Sequence, residues 1–223
     1  MKIQELTLYS RNLPRQKSFY QNTLGLEITQ ETDTFFEITT QNTLLRFEEK
    51  SDATPYHFAF NIPSEKEEEV MEWLQQKVKI LPFQGEKLVD FSAWNAKAMY
   101  FKDMDGNIVE FISRRNLQYP FHAPFDVKQL WEVSEIGMPT KRVSSIYGEL
   151  KSVASIDFFD GDRERFLAAG GEHGLFIIID YQQKDWIPTD DKALPSAFRC
   201  TFESNGKVYE IEYKEEKIIW HKK

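Results

Sequence analysis

The chain has 223 residues, enough for one larger domain or two small ones with a real core. Hydrophobic residues make up 41%, charged residues 29% and aromatics 14%, which is a globular profile and not a disordered one. A net charge of −8 argues against a nucleic-acid or anionic-membrane surface, and the single cysteine, Cys200, rules out an internal disulfide. No apolar run approaches the roughly 20 residues of a membrane helix, and "MKIQELTLYS" lacks a signal-peptide core. A cytoplasmic protein is expected, with no nucleic-acid or membrane partner.

"IQELTLYS" (3–10) alternates as a strand, with Leu6 and Leu8 on one face and Ile3, Glu5 and Thr7 on the other. "LPRQKSFYQNTLG" (13–25) follows as a short helix, with Pro14 suited to its first turn and Gly25 to its end. "LEITQE", "FFEITT" and "TLLRFEE" are three short strands. The order then recurs. "YHFAFNIP" (56–63) is a strand with His57, Ala59 and Asn61 on one face. "SEKEEEVMEWLQQKV" (64–78) is an amphipathic helix with Ser64 at the cap position and Glu67 at capping-box spacing. Strands near 87–91, 96–102 and 107–113 complete this second unit.

Residues 1–115 therefore form two copies of strand–helix–three strands. Aligning the copies matches Glu5 with His57 and Arg46 with Glu110. These four are the polar interruptions of otherwise apolar strands. A carboxylate such as Glu110, set between Val109 and Phe111, needs a compensating cation, proton or metal. If the two units pack about a pseudo-two-fold axis, Glu5, Arg46, His57 and Glu110 converge on one cavity. Residues 116–223 begin with a connector and then a third, degenerate unit, with Glu135 at the position of Glu5. Its last strand, "GLFIIIDY", is apolar where the others carry Arg46 or Glu110, so no second metal site is expected there. The tail is a β-meander in which Asn205-Gly206 marks a two-residue hairpin.

Three stretches carry a resemblance: "LPRQKSFYQNTLGLEI", "YHFAFNIP" and "YFKDMDGNIVEF". In these the chain resembles the vicinal oxygen chelate superfamily of glyoxalase I, bleomycin-resistance proteins and extradiol dioxygenases. Trp94-Asn95-Ala96 and the segments 174–177 and 186–189 further resemble bacterial proteins labelled ring-cleavage dioxygenases. The resemblance implies an α+β fold, in which paired βαβββ modules form a curved mixed sheet around a cavity and the C-terminal region is β-rich and module-like. It implies one divalent metal ion (Fe, Mn, Zn, Ni or Mg) on Glu5, His57 and Glu110, a small-molecule substrate, and a homodimer as a common assembly. Arg46 stands where four-ligand members place another ligand. Arginine stays protonated, so its expected partner is an anionic substrate or Glu110. Tyr100, ten positions before Glu110, matches a tyrosine that hydrogen-bonds a substrate hydroxyl in extradiol dioxygenases. Trp94 and Asn95 are placed beside the substrate. The chain departs from those dioxygenases in having Glu5 for a histidine and in lacking a clear counterpart of their additional catalytic histidine.

The implied chemistry is chelation of two adjacent substrate oxygens by a Lewis-acidic ion, with Glu5 as ligand or as base. Ring cleavage is the leading expectation, and a glyoxalase- or epimerase-like reaction is the enzymatic alternative. A non-catalytic drug-binding cavity is the other class, in which Arg46 and Glu110 form an ion pair without metal. Simpler roles stand beside these: a core histidine for His57, a solvent-facing Glu5, a packed Tyr100, and a turn at Trp94 and Asn95. His122 and His173 are expected in exposed loops, Cys200 in a structural role, and Trp186 as a loop anchor.

Overall fold

The computed structural model describes residues 1–221, which form three βαβββ modules and a C-terminal meander. The first module is β1 (Lys2–Ser10), α1 (Leu13–Ser18), β2 (Ile28–Glu31), β3 (Phe35–Thr39) and β4 (Leu44–Glu49). The helix expected over 13–25 divides in two. Asn12 caps α1 by accepting from the Arg15 amide, and a π-helical segment, Phe19–Leu24, continues it to Gly25 at φ 84°. In β1 a register shift against its neighbour lies between Ile3 and Glu5 and brings Ile3 inward with Leu6 and Leu8.

The second module is β5 (His57–Ile62), α2 (Glu67–Gln75), β6 (Val89–Phe91), β7 (Ala96–Lys102) and β8 (Ile108–Arg114). Ser64 does not cap α2. Its hydroxyl donates to the Arg114 and Leu117 carbonyls, and left-handed Glu65 (φ 59°) separates it from a helix that starts after Lys66. The third module is β9 (Val133–Pro139), α3 (Val143–Ala154), β10 (Phe158–Gly161), β11 (Phe166–Gly171) and β12 (Gly174–Ile179). The tail adds β13 (Phe198–Ser204), β14 (Lys207–Lys214) and β15 (Lys217–His221). Asn205 and Gly206 turn the β13–β14 hairpin at φ 50° and 73°, as their sequence predicts.

The strands build two mixed sheets. One runs β15-β14-β13-β1-β4-β3-β2 and the other β10-β11-β12-β9-β5-β8-β7-β6. The α+β class and the curved βαβββ architecture are as expected, but the partnership of modules is not. Modules two and three share a sheet because β5 pairs antiparallel with β9. Module one is completed by the tail, because β1 pairs antiparallel with β13. The expected cavity between modules one and two therefore does not form.

One hydrophobic core holds the two sheets and three helices together. Leu6, Leu8, Phe36, Phe47 and Phe202 of the first sheet belong to the same buried cluster as Phe58, Phe60, Phe111 and Phe176 of the second. Val70 and Leu74 of α2 and Ile146 and Leu150 of α3 join it. Residues of opposite phase on the second sheet, including Ala59, Ala98, Tyr100, Ile177 and Ile179, form a separate cluster on its other face. That face carries the site described next. Among the described residues no helix is long and apolar enough to cross a membrane.

Candidate metal centre

Three neighbouring strands, β8, β5 and β9, set the site. Ala59 of β5 is opposite Glu110 on one side and Glu135 on the other. His57 lies two residues before Ala59, so it projects from the same face one pleat away. Ala59 is small, and both carboxylates reach inward over it toward the imidazole. His57 Nε2 is 3.5 Å from Glu110 and 3.8 Å from Glu135. All three side chains are buried, and their ligand atoms lie within 4.8 Å of one another.

The imidazole is oriented from behind. His57 Nδ1 is 3.2 Å from the Ile108 carbonyl, which can only accept, so Nδ1 carries a proton and Nε2 is the nitrogen turned to the two carboxylates. Acceptors gathered this way require a cation or a proton between them. Burial, then the neighbouring Glu135 charge, pushes the Glu110 carboxyl well above the usual carboxylate range, while Arg114 opposes the rise. Glu135 is itself tethered. Arg114, fully buried, donates Nη2 to Glu135 Oε1 and Nε to Asn61 at 3.2 Å. This leaves Glu135 Oε2 facing His57. One imidazole and two carboxylates fit a divalent ion with open positions for oxygen ligands.

The centre opens into a cavity of about 290 Å³. Tyr100 stands opposite Glu110 in the β7–β8 ladder, its ring 6.4 Å from the His57 ring. Burial, then the Glu110 and Glu135 charges, raises the tyrosine hydroxyl well above its ordinary value, so it holds its proton. Trp186 packs on His57 at 4.9 Å between ring centroids. It lies so close to β9 that a Cβ on Gly137 would meet the indole at 2.7 Å, which accounts for glycine there. Trp94, Phe91 and Phe166 are a second aromatic wall, and Asp160 holds the Trp94 indole N–H at 2.6 Å.

His57, Glu110, Tyr100 and Trp94 are thus brought together. Glu5 and Arg46 are not. Both line a different, polar cavity on the first sheet, where Arg46 bonds Glu37 and Glu48 and not Glu110. Thr201 donates a long 3.4 Å bond to Glu5. The Arg46–Glu110 ion pair behind the metal-free alternative is therefore absent. Asn95 also points elsewhere: it takes a left-handed turn conformation at φ 49° and donates to Asn116. His122 is exposed, whereas His173 is half-buried against Glu132 and Tyr119. Cys200 is buried.

Sequence reasoning missed Glu135 as a partner of His57, and with it Arg114, Lys184 and the contact of Trp186. Glu135 did carry a signal, since it holds the repeat position of both Glu5 and His57. Choosing it over Glu5 required knowing which first strands lie side by side.

Residues 2–111 match the family described as Glyoxalase/Bleomycin resistance protein/Dioxygenase superfamily. Among solved structures, the chain is similar to a "putative dioxygenase" from Bacillus subtilis subsp. subtilis str. 168. The identity is 11% and the TM-score 0.58, over 80% of this chain and 63% of that one. It is also similar to a lactoylglutathione lyase from Agrobacterium tumefaciens (16% identity, TM-score 0.43, 52% of this chain and 96% of that one). A third is an integron cassette protein from the mobile metagenome of the Halifax Harbour sewage outfall (20% identity, TM-score 0.44, 50% of this chain and 97% of that one). At these identities the likeness speaks for the fold alone. No curated protein matches the chain.

Proposed function

We propose that this chain, whose residues 2–111 are a domain of the Glyoxalase/Bleomycin resistance protein/Dioxygenase superfamily, is a metal-dependent enzyme on a small substrate with two adjacent oxygens. The observation that carries the reading is the convergence of His57, Glu110 and Glu135, with the histidine tautomer fixed by Ile108. In this reading those three residues hold the ion. When bound, a divalent ion supplies Lewis acidity that stabilises negative charge developing on the substrate oxygens. Tyr100 donates a hydrogen bond to a substrate hydroxyl from beside Glu110. Arg114 fixes Glu135 by one oxygen and leaves the other for the ion. Trp186 covers the imidazole and keeps water from it. The aromatic walls receive a flat, apolar substrate body.

Ring-cleaving oxygenation of a catechol-type substrate is the reaction we assign first. A second reading rests on a specific feature: His57 is the one histidine lining the cavity, and beside it lies a carboxyl with raised proton affinity. That combination suits proton transfer in a glyoxalase- or epimerase-like reaction. The test is elemental mass spectrometry of untagged protein beside His57→Ala, followed by oxygen-electrode assays on catechols. Near-stoichiometric metal lost in His57→Ala, with oxygen consumed on a catechol, supports the dioxygenase. Metal-dependent turnover without oxygen uptake supports the second reading. Equal metal content in the wild type and His57→Ala refutes the site.

A further inference from the structure

The cavity has a second charged feature apart from the ligand cluster. Lys184, in the loop after β12, lines the wall, and its ammonium lies 5.6 Å from the centroid of the Phe166 ring. Among the described residues no carboxylate lies within ion-pairing distance of it. Nearby acids are engaged elsewhere. Asp160 accepts from the Trp94 indole with one oxygen and from the Gly161 amide with the other. Asp162 accepts from the amides of Glu164, Arg165 and Phe166 and faces the Arg165 guanidinium at 3.7 Å. Burial, then the Arg165 charge, lowers the Lys184 ammonium from its ordinary value, and the Asp162 charge opposes the drop.

Sheet register places this amine with respect to the centre. Glu135 is level with Leu175, whereas Phe166 is level with Ile179 and, across β12, with Pro139. Four residues of strand separate the levels of Glu135 and Phe166, about 13 Å at the usual rise, with His57 of the same centre about halfway between them. Between them lie Ile177, Ile179 and the Trp94–Phe166 ring pair, stacked at 23° with centroids 6.5 Å apart. The cavity is therefore graded from carboxylates at one end, through apolar walls, to an ammonium without an ion-pair partner at the other.

We propose that Lys184 is a specificity residue that binds an anionic group, such as a carboxylate, on a substrate whose opposite end meets the His57–Glu110–Glu135 centre. A flat apolar body joined to a short acidic chain is the class this grading selects. The inference rests on the cavity being the substrate chamber, but its test needs no metal. Trp94 and Trp186 both line the chamber, so their fluorescence reports binding.

Phenylpropionate and its neutral isostere phenylpropanamide would be titrated into chelator-treated full-length protein. Metal content would be measured on the untreated part of the same preparation. The expected result is about tenfold tighter binding of the anion. Lys184→Met should abolish the preference and Lys184→Arg should keep most of it, with each variant's fold checked by its melting curve. Equal affinities in the wild type, no binding of either probe, or a preference that persists in Lys184→Met would overturn the assignment. A Lys184-dependent preference in protein that never takes up metal would keep the subsite and refute the metal reading. Stoichiometric metal without the preference would do the reverse.

Discussion

The two sheets carry the same row of positions with opposite chemistry. On the second sheet the row is Glu110, Ala59, Glu135, with His57 one pleat back. On the first sheet it is Arg46, Thr7, Arg199, with Glu5 one pleat back. In one row two acids and an imidazole face each other across an alanine, and among the described residues the one Lys or Arg lining the cavity, Lys184, comes from a loop. In the other row two arginines stand where the acids were, and Glu48 accepts from both of them while Glu37 accepts from Arg46. The row on the first sheet is saturated with its own ion pairs. The row on the second sheet is left short of a cation. One architecture thus yields a self-neutralised polar cavity of about 430 Å³ and a candidate metal chamber, and the difference lies in a few side chains.

The sharpest way to break this comparison is to neutralise the matching acids. Glu135→Gln should lose essentially all bound metal, while Glu5→Gln keeps it, both read by elemental mass spectrometry. Metal lost from Glu5→Gln and retained by Glu135→Gln would restore the arrangement expected from sequence. Next in size is Arg114→Met. It leaves Glu135 buried without its partner, and urea unfolding of chelated protein should show a loss of about 3–5 kcal/mol.

Asp103 tests the joint between the halves. It accepts from Gln16 and Tyr20 of the first module while standing in the turn that leads into the strand of Glu110. Burial raises its carboxyl to about 6 from an ordinary 3.8. The folded chain therefore holds that proton more tightly than the unfolded chain. This contribution to stability is fully present below the unfolded value and is lost as pH rises through about 6. The loss is roughly 3 kcal/mol for a shift of about two pH units. Asp103→Asn should flatten that decline in unfolding experiments between pH 4 and 6, and an unaltered slope would assign it to other groups. The smallest effect is expected from Arg46→Met on the saturated row. A partly exposed ion pair of this kind contributes about 1 kcal/mol, and metal content should not change.

Much of the local structure was legible beforehand. The period-two strands, the amphipathic α2, the Asn-Gly hairpin and the module repeat all follow from side-chain spacing, which acts over a few residues. So did the strand positions of His57 and Glu110, because a buried polar side chain interrupts an apolar alternation visibly. Details governed by backbone competition were less legible. Ser64 found carbonyl acceptors in place of a cap, and the helix after Leu13 passed into a π segment.

The sequence by itself determined that there are βαβββ units and that each opens with a strand whose polar positions can face a cavity. Which units lie together was decided in the tertiary structure. An exposed strand edge offers the same unpaired N–H and C=O groups whatever its neighbour is to be. β5 joined β9 and not β1, so Glu135 replaced Glu5 beside His57. The choice is made by how whole modules bury their apolar faces in a common core, and that sum over distant contacts is written at no single position of the chain.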